Sequence, residues 1–284
     1  MRLIIQQIPN LFTLANLFCG CMAIVYGFSL QLEMAGYFIF AGAFFDFIDG
    51  FVARLLNVHS EIGKQLDSLA DVVSFGVAPG LILFQFLIIT QYAYFTPIED
   101  RTFNVMAFAS LGFLVSIFSA YRLAKFNTLK DTSSDFIGLP TPAMAFLVAS
   151  IPVVLVDQVG MNIYFPPSDL VQAVMSMGAF HFESEVIFAD FIYRPYNIIG
   201  IIVVLSFLMV SPFKFISLKF KGIGFRKNAF RYIFLLLCLA VFIYLYVENL
   251  TLFCLPLFIV IHIVLSLISN LPFFKTNTQH EIQS

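Results

Sequence analysis

The chain alternates long apolar runs with short polar breaks. Runs long enough to cross a bilayer, about 20 residues each, cover approximately 10–30, 34–56, 68–94, 103–126, 141–157, 196–212, 229–247 and 250–270. They predict about eight transmembrane helices, hence an all-α fold: a polytopic integral membrane helical bundle whose main solvent is the lipid bilayer. Composition agrees. Of 284 residues, 60% are hydrophobic and 11% charged, and the mean hydropathy is +0.94, far above a soluble domain. Phe is abundant at 37 residues and Trp is absent, which suits lipid-facing helix surfaces. A net charge of −2 does not point to nucleic acid, which is not among the expected partners. The four cysteines fall in apolar runs without metal-ligand spacing and are expected to be buried thiols. The first run follows Arg2 and lacks a small-residue cleavage site, so a retained helix is expected.

Orientation follows from Lys and Arg. Alternating the spans places Arg2, Arg54, Lys64, Arg122, Lys125, Lys130, Lys214, Lys219, Lys221, Arg226, Lys227, Arg231 and Lys275 on one side, and leaves Arg101 and Arg194 on the other. Both termini are therefore expected at the cytoplasmic face of the membrane.

One stretch breaks the apolar pattern. Residues 46–71 read DFIDGFVARLLNVHSEIGKQLDSLAD, with four aspartates, Arg54, Gly50 and Gly63 beside apolar runs. Asp46 and Asp49 stand at i, i+3, and Asp67 and Asp71 at i, i+4. Each spacing puts both side chains on one helix face. Two such helices point four carboxylates at a common centre. In a low-dielectric site that charge must be cancelled. Protons, Arg54 and Lys64 are candidates, but hard divalent cations are the better answer. The cluster is oxygen-only, without Cys or His among its four acids, which suits Mg²⁺ or Mn²⁺. Two such ions on four aspartates would make the clamp that phosphoryl transfer requires. Asp46 and Asp49 follow AGYFIFAGAFF, where a membrane helix should still be apolar, and an intramembrane acid is a functional hypothesis by default. Glu61 and His59 read as solvated. Gly50 and Ala53 share the Asp46 and Asp49 face and leave room for a flat ligand or a close helix.

Other polar positions flank this stretch. Asn10, Thr13 and Asn16 form a stripe on the first helix, with Asn10 also a candidate N-cap after Pro9. Ser74 continues the Asp67 and Asp71 face, and Pro79 should loosen or kink the third helix. Arg122 and Lys125 end the fourth helix, where cations are favoured. Paired prolines in FIGLPTPAMA start the fifth.

The spacing from Asp46, Asp49, Gly50, Ala53 and Arg54 through Gly63, Asp67 and Asp71 resembles the signature of the CDP-alcohol phosphotransferases at every fixed position. DSLADVVSFGVAP, AYRLAKFN and FIGLPTPAMA resemble stretches of its bacterial phosphatidylserine synthase branch. The resemblance is close over about residues 8–156 and weak around 211–219. It implies a six-helix catalytic core in a bacterial cytoplasmic (inner) membrane, facing the cytoplasm and assembled as a homodimer. It also implies transfer of a phosphatidyl group from CDP-diacylglycerol to L-serine, giving phosphatidylserine and CMP. On this reading Asp46, Asp49, Asp67 and Asp71 hold two Mg²⁺ or Mn²⁺ ions and Asp71 is the base. Thr13 and Asn16 border the nucleotide, while Gly50, Ala53, Gly63 and Ser74 adjoin the substrates. Arg54 offers its planar fork to phosphate, and Arg122 and Lys125 meet the serine carboxylate.

The whole chain is expected to form one catalytic domain, with 158–195 a non-cytoplasmic insertion and 271–284 a cytoplasmic tail. LVQAVMSMGAF within the insertion suits an amphipathic surface helix, and His181 with Glu183 and Glu185 a solvated loop. The basic loop 214–227 serves topology and anionic headgroups, or holds phosphate or carboxylate through Lys214 or Lys219. His262 is expected to be packed. Competing readings keep the chemistry with glycerol phosphate or inositol phosphate as acceptor, or make the acids part of a divalent-metal transporter. Against transport, the acids cluster near one membrane face.

Overall fold

The computed structural model describes residues 2–58, 60–128, 136–158, 183–215 and 229–270. Its helices are α1 (Arg2–Phe28), α2 (Leu32–Leu55), α3 (Glu61–Val72), α4 (Ala78–Thr90), α5 (Phe103–Ala109), α6 (Leu114–Thr128), α7 (Thr141–Val153), α8 (Glu183–Tyr193), α9 (Pro195–Val210), α10 (Ala229–Val247) and α11 (Cys254–Ser269). Each of the eight apolar runs is helical. Among the described residues, four stretches are long and apolar enough to cross a membrane: Gln7–Phe28, Glu61–Thr90, Phe103–Thr128 and Thr251–Ser269. Ile187–Tyr193 and Pro195–Val210, bent by 78°, make a fifth if taken together, while Thr141–Asp157 and Arg231–Val247 are shorter apolar helices. The protein is an all-α polytopic membrane protein.

Local chemistry explains where the helices depart from the expected bounds. α1 starts at Arg2 and carries Pro9 inside it, so Asn10 is mid-helix and caps nothing. α3 starts at Glu61, ahead of the apolar run, because Ser60 caps it: its Oγ accepts from the Gly63 N–H at 2.9 Å. α3 and α4 are joined by a π-helical turn, Val73–Val77, in which the Ala78 N–H reaches the Val73 carbonyl. Pro79, two residues past this turn, has no N–H to offer, and the wider turn is how the expected loosening is realised. α8 falls inside the stretch expected to be an insertion loop. LVQAVMSMGAF, His59, His181, Lys130, most of the basic loop including Lys219, and the tail 271–284 lie outside the described residues.

α4 is the centre of the bundle, with every residue from Ala78 to Ile89 buried. Lipid is as apolar as a leucine side chain, so helices here associate through close fit more than by leaving water. Small residues set that fit. A Cβ on Gly36 would lie 2.6 Å from the Ala149 carbonyl oxygen, so α2 meets α7 backbone to backbone. A Cβ on Gly112, ahead of α6, would lie 2.8 Å from Phe84 Cα of α4.

One feature was not legible in the pattern of apolar runs. β1 (Phe136–Ile137) and β2 (Lys214–Phe215) form a short antiparallel ladder between the segments entering α7 and leaving α9. His262 is buried near the rings of Phe215 and Phe234, as expected of a packed histidine. All four cysteines are free; Cys19 and Cys238 are buried and Cys254 partly so. Cys21 corrects the expectation: it is exposed on the outer face of α1.

Gly36→Val should drive a branched side chain into the α7 backbone. Overpacking of this kind costs roughly 1–3 kcal/mol, and a thermal unfolding midpoint several degrees below wild type in detergent is the expected reading.

Candidate active site

α2 and α3 reverse direction through a tight turn in which Asn57 takes a left-handed φ of 50°, a conformation Asn tolerates. This returns α3 alongside α2 and brings their acidic faces together. Carboxylate oxygens of Asp46, Asp49 and Asp67 all lie within 4.8 Å of one another. Asp71 stands one turn further along α3, buried, and is not one of those three.

α1 closes the site from the third side. Thr13 Oγ1 donates to Asp49 Oδ2 at 2.6 Å. Asn16 Nδ2 donates to Asp71 Oδ1 at 3.4 Å, and Ser74 Oγ donates to the Asn16 carbonyl at 2.9 Å. Gly42 makes room for this: its Cβ would sit 2.9 Å from Asn16 Oδ1. Two residues of the polar stripe, Thr13 and Asn16, are therefore bonded to aspartates.

A cavity of about 670 Å³ opens above the triad, lined by Asn10, Thr13, Asp46, Asp49, Gly50, Ala53, Ser60, Gly63, Lys64 and Asp67, among others. A Cβ on Gly50 would meet nothing within 4 Å, so that wall faces open space. Gly63 is different: a Cβ there would fall 2.8 Å from Ser60 Oγ and 2.9 Å from Asn10 Oδ1.

Arg122 supplies charge from the other flank. It is buried at 8% exposure on α6 and interacts electrostatically with Asp71. Its Nη1 donates to Thr141 Oγ1, the first residue of α7, at 3.4 Å, while its Nε has no hydrogen-bond partner. Asn127 Nδ2 donates to Ser68 Oγ at 2.8 Å and ties α6 to α3. Arg54 and Lys125 are exposed on the last turns of α2 and α6, and neither lines the cavity.

The donor set fits a hard cation. Like charges 4.8 Å apart repel by roughly 3–4 kcal/mol per pair at an effective dielectric of 20. Hard divalent cations take oxygen ligands of this kind. The acidic triad can therefore hold a metal ion.

Residues 6–183 match the profile of the CDP-alcohol phosphatidyltransferases, well over half of the chain. The chain belongs to this family. Among its relatives, a CDP-diacylglycerol–serine O-phosphatidyltransferase of Helicobacter pylori strain J99 is 35% identical over 237 residues, 80% of this chain and 92% of that protein. The protein of the same description from strain 26695 is 44% identical over 146 residues, where the match spans about half of each: 49% of this chain and 54% of the other. That of Bacillus subtilis is 36% identical over 137 residues, 48% of this chain and 70% of its own length.

Three further residues near the site, Ser60, Asn10 and Thr141, were not singled out from the sequence as part of it, while Lys64 was named only as a possible counter-charge. Ser60 was legible as a cap, since Ser followed by a helix start is a known signal. Asn10 shares a helix face with Thr13, which helical spacing hints at. Thr141 had no local signal.

Mn²⁺ should raise the unfolding temperature of the wild-type protein, because a ligand bound only to the folded state stabilises it, by about 2.7 kcal/mol at 100 times its Kd. In Asp46→Asn and Asp67→Asn that rise should shrink or vanish. A rise of wild-type size in both variants would show that the triad does not hold the ion.

Proposed function

We propose that the chain transfers the phosphatidyl group of CDP-diacylglycerol to L-serine, giving phosphatidylserine and CMP. The single observation that carries the reaction type is the convergence of Asp46, Asp49 and Asp67 beside a cavity at the helix ends. The relatives' shared description supports serine as acceptor. A donor with two fatty tails and a charged head places its diphosphate level with such helix ends.

Asp46, Asp49 and Asp67, with Asp71 completing the shell, would hold two Mg²⁺ or Mn²⁺ ions. Bound there, the ions would neutralise the diphosphate and stabilise departing CMP. Thr13 fixes the Asp49 carboxylate and Asn16 that of Asp71, so both acids are oriented before substrate arrives. The serine hydroxyl oxygen attacks the phosphorus that carries diacylglycerol. The bond from that phosphorus to the bridging oxygen breaks, CMP leaves with the oxygen, and the hydroxyl proton passes to Asp71. The displacement is single and in line, without a covalent enzyme intermediate.

Arg122 is the residue assigned to the serine carboxylate. Its buried, unpartnered Nε would gain an acceptor, removing a desolvation penalty of about 1–3 kcal/mol. Gly50 and Ala53 leave the wall open for the nucleotide, and Gly63 and Ser74 hold the helices at the required spacing. Arg54 meets the donor phosphates from the rim, and Lys125 adds surface charge that draws the anionic substrates. The asymmetry of Lys and Arg supports a site facing the cytoplasm in a bacterial inner membrane, and resemblance to the family supports a homodimer. A transport path is not favoured: α4 carries the bundle onward from the acids, and Gln85 is the polar side chain buried within it.

Purified protein with CDP-diacylglycerol and Mn²⁺ should release CMP when L-serine is added. Asp71→Asn should lower the rate by roughly 10²–10⁴-fold, the usual contribution of a positioned acid or base. Release with glycerol phosphate or inositol phosphate, and none with serine, would overturn the acceptor. Folded protein with no release under any condition would overturn the reaction.

A further inference from the structure

Arg122 donates to Thr141, and the segment just ahead of Thr141 is bonded to chain that follows α9. The extended segment that leads into Thr141 is bound along one side to the chain around the end of α9. Phe136 and Ile137 pair with Phe215 and Lys214. The Gly138 N–H donates to the Phe213 carbonyl and the Leu139 N–H to the Leu208 carbonyl, both at 2.9 Å. Gly138 has a φ of +76°, and a Cβ there would lie 3.0 Å from the Met209 carbonyl carbon. Only glycine meets both conditions.

The other side of β2 is taken by a side chain. Asn270 ends α11, and its Oδ1 accepts from the Lys214 N–H at 3.1 Å while its Nδ2 donates to the Lys214 carbonyl at 2.8 Å. The amide thus does for Lys214 what a third strand would do. Its Nδ2 also donates to the Ser266 carbonyl at 2.7 Å, so the amide orientation is set by three bonds. α10 and α11 lie beyond the residues that match the family profile. An element outside that match is thus bonded to β2 through one side chain.

We propose that Asn270 is a positioning residue for the acceptor alcohol: through Lys214, the β1–β2 ladder and Thr141, it fixes the guanidinium of Arg122 beside Asp71. The proposal rests on the reading of Arg122 as the acceptor's contact. Arg122 and Thr141 touch at 3.4 Å, a long hydrogen bond that a small shift of the segment would break.

The test uses the full chain in detergent or lipid nanodiscs, with CMP release followed as the acceptor is varied and hydrogen exchange read on peptides covering 136–145. In Asn270→Ala the KM for the acceptor should rise roughly tenfold, within the hundredfold that a misplacement of about 1 Å can cost. kcat and the KM for CDP-diacylglycerol should stay within about twofold. Exchange over 136–145 should quicken while α1 stays protected. Asn270→Asp keeps the bond from the Lys214 N–H and should fall between. Gly138→Ala loosens the same strap from its other side and should give the same pattern, which keeps the test in force if Asn270→Ala does not fold. Unchanged exchange would overturn the proposal, and so would faster exchange with an unchanged acceptor KM. The KM is measured for whichever alcohol the wild type uses, so a wrong acceptor would count against the reaction and not against the strap.

Discussion

Three carboxylates within 4.8 Å of one another, at the edge of a membrane bundle, set the terms for everything around them. Repulsion of this size opposes folding, so the surrounding structure has to hold the acids together. It does so by backbone geometry. A short turn returns α3 along α2, Ser60 caps the new helix, and α1 lies against both with Thr13 and Asn16 bonded to two of the acids. Close helix approach makes these bonds reachable, and it depends on residues without a Cβ, such as Gly42 against Asn16.

The bundle supports the site unevenly. α4 is buried along its length and acts as the fixed post. The π-helical turn that connects it to α3 absorbs the missing N–H of Pro79 and places Ser74 against Asn16. On the opposite flank, Arg122 donates to Thr141, which follows a segment of extended chain paired with residues 214–215. On the proposed reading, metal ions and diphosphate would meet the side built on α1, α2 and α3, and the acceptor would meet the flank assembled from distant segments.

Much of the site could be read from residue order. The four aspartates were legible because helical spacing is a local property: i, i+3 and i, i+4 decide which side chains share a face before any tertiary contact forms. The membrane class was legible for the same reason, since apolar runs of span length need no knowledge of their neighbours. The roles of the polar stripe on α1 were not legible. Asn10 looked like a cap because Pro9 often precedes a helix start, yet the helix begins at Arg2 and runs through the proline. Thr13 and Asn16 were legible as polar and inward, but their partners lie 36 and 55 residues away.

Arg54 and Arg122 show the division most plainly. Both are basic residues near a helix end, and nothing in the residues beside them separates the two. The sequence by itself determined the helices, the acidic faces and the oxygen-only ligand chemistry, all of which follow from spacing along one chain. Only the folded arrangement buries Arg122 while leaving Arg54 exposed, bonds Arg122 to Thr141 and brackets Lys214 with Asn270. Burial and cross-chain hydrogen bonds depend on which helices cross and how closely. That is fixed by packing among residues far apart in the chain, so no local pattern records it.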